Sequence, residues 1–161
     1  MITAIFPGSF DPITLGHLDI IDRVSKIFDK FVVSIVLNVD KKFLFSVEER
    51  MEQMRRVVSA YPNVEVDSSA MLLAEYAEQF ENPVLIKGVR NHFDYEYETT
   101  MAVLNRKLNP KLETLFITAG QEYMYISSTA VKQLAMYGAD LTDYVPREII
   151  TDIRSKIRNW R

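Results

Sequence analysis

The residues with the most chemical potential lie in PGSFDPITLGHLD, Pro7 to Asp19, a turn-rich segment between an apolar run and a helix-length stripe. Gly8 has no Cβ and permits close approach of a phosphate, Asp11-Pro12 makes a turn, and Gly16 lets the amides that follow sit against a ligand. An anion held there faces the positive end of the next helix. His17, in the first helical turn, is placed to donate to a phosphoryl oxygen, and Ser9 offers a hydroxyl and a backbone N–H. Phosphate handling is the chemistry implied. Pro-Gly and Asp-Pro are also ordinary turn dipeptides, and a histidine often decorates a helix start, so this loop alone leaves both readings open.

A second constellation is LIKGVRNHFDYEYE, Leu85 to Glu98, where an apolar strand ends in Lys87, Gly88, Val89 and Arg90 before an acidic, tyrosine-rich helix start. Cations at a strand's carboxyl end suit phosphates; the bland alternative makes them surface charges and Asp94, Glu96 and Glu98 a solvated face. A third is YISSTAVKQL, where Ser127, Ser128 and Thr129 fall at a helix start. A plain N-cap accounts for one hydroxyl, and three in succession suit a nucleotide phosphate or adenine contact. Lys41 and Lys42 are the weakest signal, since a lysine pair in a loop is ordinarily solvated; their merit is a loop that opens toward the same crevice. The five glycines make neither a dinucleotide fingerprint nor a P-loop, no nucleophile elbow exists, and His17 and His92 are too far apart for a zinc pair. Any metal is therefore expected to arrive with a substrate.

These loops need a scaffold to bring them together. Short apolar runs at Ile2–Phe6, Phe31–Leu37, Val64–Val66, Val84–Ile86 and Leu115–Thr118 have the length and β-branching of buried strands. Leu18, Ile21, Val24 and Phe28 form one helical stripe, and Met51, Met54, Val57, Val58 and Tyr61 another, the latter opened by the capping-box pair Ser46 and Glu49. Further helices are predicted over Met71–Phe80, Phe93–Leu108, Ser128–Tyr137 and Pro146–Arg158. The alternation predicts an α/β fold, a doubly wound five-stranded parallel sheet with helices on both faces and a ligand crevice at the strands' carboxyl ends.

Composition narrows the classes. One domain over residues 1–161 is expected, without repeat or linker. With no cysteines, disulfides, thiolate metal sites and a cysteine nucleophile are excluded. A net charge of -3 argues against nucleic-acid binding, and the longest apolar run, Phe31 to Leu37, is far short of a membrane span. Met1 runs into Ile2–Phe6 without a basic region or cleavage site, so a cytoplasmic protein is expected.

Taken together, GSFDPITLGH, the stretch Lys41 to Arg50, IKGVRNHFDYEYE and ISST resemble the bacterial phosphopantetheine adenylyltransferase family, nucleotidyltransferases with a Gly-His signature, across nearly the whole chain. The resemblance implies a reversible reaction of ATP with 4'-phosphopantetheine to give dephospho-coenzyme A and pyrophosphate, with magnesium carried by ATP, in a homohexamer. It implies that His17 stabilises the transition state and that Ser9 and Phe10 contact ATP, Ser9 touching the acceptor as well. Gly88, Val89, Arg90, Glu98 and the run Tyr123, Met124, Tyr125, Ile126, Ser127, Ser128 and Thr129 would line the ATP side, while Lys41, Leu73 and Lys87 would bind the acceptor. Ser9, Leu15 and Lys87 stand where the family commonly has threonine, asparagine and arginine, and Lys87 trades a two-pronged fork for a point charge. A mononucleotide adenylyltransferase, a glycerol-phosphate cytidylyltransferase and a non-catalytic nucleotide-binding module are the alternatives.

Overall fold

The computed structural model describes residues 1–37 and 42–159. Five strands, β1 (Thr3–Gly8), β2 (Lys30–Val36), β3 (Val64–Ser69), β4 (Pro83–Val89) and β5 (Glu113–Thr118), form one parallel sheet in the order β3-β2-β1-β4-β5. Helices α1 (Leu15–Ser25), α2 (Val47–Val57), α3 (Leu73–Ala77) and α4 (His92–Leu108) follow the first four strands, and α5 (Ser128–Met136) and α6 (Ile150–Arg158) follow β5. The winding reverses between β1 and β4, so the crevice expected of a doubly wound sheet opens at their carboxyl ends.

Side chains alternate across the sheet and feed two cores. Ala4, Phe6, Val33, Ile35 and Ile86 join Ile21 and Val24 of α1, Met54 and Val57 of α2, and Ile153 and Ile157 of α6. Ile5 and Leu85 turn to the other face, against Ala74, Tyr76 and Ala77 of α3. Both helical stripes read from the sequence lie on the first core, which buries Val24 and Met54 completely. The capping box of α2 is present, Ser46 Oγ accepting from the Glu49 amide at 3.2 Å and Glu49 Oε2 from the Ser46 amide at 2.7 Å.

Strand ends differ from the sequence expectation in a way that bears on the site. Pro7 and Gly8 belong to β1, paired with Ser34 and Ile35, and Lys87, Gly88 and Val89 belong to β4, paired with Phe116, Ile117 and Thr118. Neighbours on the sheet override weak strand propensity at these positions. The helix expected over Met71–Phe80 contracts to Leu73–Ala77, and Pro146–Arg158 opens with a 3₁₀ turn at Arg147–Ile149 before α6. No helix of the described residues is long and apolar enough to cross a membrane.

Candidate active site

The loop from β1 to α1 is shaped by aromatic packing. Phe10 takes a left-handed backbone conformation, φ 46°, and its buried ring lies where a Cβ on Gly8 would sit, 2.9 Å from that position. Gly8 thus makes room for the Phe10 ring, and it also lines the cleft described below. The Phe10 ring meets Phe6 edge-on at 5.4 Å between centroids and His17 at 5.0 Å.

His17 sits at the third position of α1, where a capping box ordinarily places glutamate or glutamine. Thr14 Oγ1 accepts from the His17 amide at 3.3 Å, and the Thr14 amide donates to His17 Nδ1 at 3.0 Å. An amide N–H can only donate, so Nδ1 accepts and the proton of the neutral ring resides on Nε2. Burial, assisted by the nearby Arg90 charge, pushes the imidazole pKa down to about 4. At neutral pH His17 is an uncharged N–H donor at a helix amino terminus.

The β4 side supplies the cations. Lys87 Nζ pairs with Glu98 Oε2 at 3.1 Å, both side chains under one-fifth exposed, and that carboxylate oxygen makes no hydrogen bond within the described residues. Arg90 forks onto Asp94 through Nε at 2.9 Å and Nη2 at 3.2 Å, and its Nη1 donates to the Ile126 carbonyl at 2.8 Å. Burial acts to raise the Asp94 pKa, but the hydrogen bonds and charge of Arg90 outweigh it and hold the carboxyl below its ordinary value. Asp94 and Glu98 are thus inward partners of the two cations, which overturns the solvated-face alternative for them; Glu96 is exposed.

The third wall is the start of α5. Ser127 is its N-cap, Oγ accepting from the Ala130 amide at 3.1 Å, while Ser128 Oγ donates to the Pro12 carbonyl at 2.8 Å and Thr129 is exposed. The approach to α5 is tied to α1 by Asp19, whose Oδ2 accepts from the Gly120 amide at 3.1 Å and from Arg23 at 3.0 Å. Together the three walls enclose a cleft of about 290 Å³. Its size suits the reacting end of a triphosphate, with the rest of any larger ligand lying outside.

The chain matches the Cytidylyltransferase-like family over residues 5–134. A phosphopantetheine adenylyltransferase of Clostridium tetani is 53% identical over 156 residues, covering 97% of this chain and 98% of its own. One from Clostridium botulinum strain Hall is 49% identical over 159 residues, covering 99% and 97%. This chain belongs to the phosphopantetheine adenylyltransferase family. Its membership makes it a nucleotidyltransferase. Two solved structures share the fold at low identity. One, described as a nicotinate-nucleotide adenylyltransferase from Vibrio parahaemolyticus, has a TM-score of 0.73 at 15% identity and covers 99% of this chain and 96% of its own. The other is the Plasmodium falciparum nicotinic acid mononucleotide adenylyltransferase complexed with NaAD, with a TM-score of 0.63 at 16% identity, covering 99% and 95%.

For a phosphopantetheine adenylyltransferase, the cleft gathers many of the residues read from sequence. Phe10, His17, Lys87, Gly88, Arg90, Glu98, Tyr123, Ile126, Ser127 and Ser128 line it. Val89 is the last residue of β4, and Ser9 is half-buried with its carbonyl turned to Arg50. Met124 and Tyr125 are exposed beside the cleft, and Leu73 begins α3 on the second core. Lys41 lies outside the described residues. Sequence reading assigned no role to Thr14 or Lys132, and saw Asp11 only as a turn residue and Asp94 only as part of an acidic helix start. Thr14 had a signal: it stands three residues before His17, the same spacing that marks Ser46 and Glu49.

Proposed function

We propose that this protein reversibly transfers the adenylyl group of ATP to 4'-phosphopantetheine, giving dephospho-coenzyme A and pyrophosphate. The observation that carries the reading is the neutral, Nε2-protonated His17 set in a cleft between strand-end cations and the capped start of α5. An oxygen of the acceptor phosphate attacks the α-phosphorus in line, the bond from that phosphorus to the bridging oxygen breaks, and pyrophosphate leaves. No proton need move, so positioning and charge stabilisation carry the catalysis.

In this reading His17 Nε2–H donates to a non-bridging α-oxygen as charge builds there. Ser9, Phe10, Gly88 to Arg90, Glu98 and the run from Tyr123 to Thr129 serve ATP, and Ser9, Lys41, Leu73 and Lys87 serve the acceptor. Lys87 moves from Glu98 to the incoming phosphate. Magnesium enters as part of the ATP substrate. The protein works in the cytoplasm as a homohexamer; the exposed apolar side chains Val103, Leu104 and Leu108 of α4 support the self-association.

The test is a coupled pyrophosphate assay offering 4'-phosphopantetheine, nicotinate mononucleotide and glycerol 3-phosphate, with ATP and with CTP. Turnover is expected for ATP with 4'-phosphopantetheine. Pyrophosphate formed only with the mononucleotide would move the acceptor assignment there. Saturable ATP binding with no pyrophosphate from any acceptor would make this a binding module.

A further inference from the structure

Asp11 is a carboxylate only 2% exposed, a rare position for an ionised side chain unless every lone pair is served. Its Oδ1 accepts from the Phe45 amide at 2.9 Å, and its Oδ2 accepts from the Leu44 amide at 2.8 Å and from Lys132 Nζ on α5 at 3.1 Å. Arg50 of α2, also 2% exposed, donates from Nη1 to the Ser9 carbonyl at 2.7 Å and lies over the Phe43 ring at 4.2 Å. Ser9 and Asp11, on either side of Phe10, are therefore tied to α2, to the segment entering it, and to α5.

A turn needs no such apparatus. Burying opposite charges carries a desolvation cost that apolar packing would avoid, so the arrangement fixes geometry rather than maximising stability. Asp11 does not line the cleft, and its route to the chemistry runs through its neighbour. Phe10 is held left-handed between Ser9 and Asp11, and its ring forms the edge-on wall against His17 at 5.0 Å. Released from Leu44, Phe45 and Lys132, Asp11 would let Phe10 shift and leave the imidazole with Thr14 as its remaining hydrogen-bonded support.

We propose that Asp11, with its partner Lys132, is a positioning residue that anchors the phosphate loop to the segment entering α2 and to α5, and thereby sets the His17 imidazole for adenylyl transfer. The role rests on the function proposed above but concerns how the ring is held, not which acceptor is used.

The test compares Asp11→Asn with Asp11→Asn/Lys132→Met, each also placed in a His17→Ala background. The double variant removes the Lys132–Asp11 ion pair as a unit, so Lys132 is not left facing a lost carboxylate, which keeps the question answerable if the single variant fails to fold. In folded protein kcat is expected to fall about 10- to 100-fold with both KM values within about threefold, the pattern of a misplaced transition-state contact. In the His17→Ala background the further loss is expected to stay below about threefold, because the two residues act as one unit. Imidazole ¹⁵N spectra are expected to keep the Nε2–H tautomer set by the Thr14 amide, with the ring resonances shifted and broadened in the Asp11 variants as the Phe10 contact loosens. Turnover retained within about twofold, a fully multiplicative loss with His17→Ala, or an unchanged ring spectrum each overturns the proposal. If the parent protein forms no pyrophosphate with 4'-phosphopantetheine, the acceptor assignment fails, and the ring spectrum still decides the role of Asp11.

Discussion

Replacing His17 by glutamine, glutamate and alanine separates its two duties. Alanine removes the Nε2–H donor and leaves the Thr14 amide without its 3.0 Å acceptor. Loss of one preorganised transition-state donor costs about 10² to 10³ in turnover, roughly 2.7–4 kcal/mol. Loss of the cap removes about 1 kcal/mol of stability besides. Glutamine is a favoured residue at this capping position: its Oε1 takes the Thr14 N–H, and its amide NH₂ points where Nε2–H points now. Turnover of His17→Gln is therefore expected only about tenfold below the parent, with the helix start intact. Glutamate also satisfies the cap but turns an anion toward the phosphates, so His17→Glu is expected to be slower than His17→Ala. Continuous pyrophosphate release at saturating substrates, with melting temperature recorded alongside, reads both duties. Near-normal turnover of His17→Ala would remove the assigned role, and a glutamine variant no faster than alanine would refute the coupling of cap and donor.

Three other outcomes follow from the site. Because the folded His17 titrates at about 4 against an ordinary value of 6.5, the unfolded chain takes up the proton first as pH falls. The contribution, roughly 3 kcal/mol at most, is fully present above about pH 6.5 and is lost progressively toward about pH 4; denaturation midpoints across that range should fall more steeply in the parent than in His17→Gln, and kcat should show no inflection near 6.5. A Cβ on Gly88 would lie 2.4 Å from Ile20 Cδ1, the tip of a side chain that can swing toward the cleft, so Gly88→Ala is expected to cost about 1 kcal/mol in thermal stability, and Gly88→Ala/Ile20→Val to recover it. Lys87→Met strands the largely buried Glu98 carboxylate and should destabilise the fold; adding Glu98→Gln should restore the melting temperature while the acceptor KM stays about tenfold raised, and recovery of both would confine Lys87 to a structural part.

The fold was legible in the sequence because its central strands are apolar on both faces, as Ile5, Val33, Ile35 and Leu85 illustrate by being wholly buried. Strand ends were not, since Pro7, Gly8, Lys87 and Gly88 take strand conformation from their neighbours and not from their own propensity. The three loops of the site were legible from the types and order of Ser9, His17, Lys87, Arg90 and Ser127, and the last four meet in one cleft. Their supports were not. Arg90 bonds to Ile126 and Lys132 to Asp11, contacts that join distant parts of the chain and leave no local periodicity or spacing to read. A second demand on Gly8 was hidden for the same reason in miniature: the space beside it is filled by Phe10, two residues on, through a left-handed turn that sequence does not announce.

The strand order has a consequence for how the protein is made. β1 emerges first yet occupies the middle of the sheet, and it pairs with β4 from Thr3 against Pro83 onward. A growing chain that stops short of β4 can dock β1 only against β2, leaving its other edge bare and open to unwanted pairing. The contact that closes this edge spans half the molecule, the kind of long-range pairing that slows folding. That same closure brings the histidine-bearing wall against the lysine-bearing wall. Competence for nucleotide chemistry therefore arrives only once β4 has been made, and products truncated before it carry the signature loop without ever possessing a working cleft.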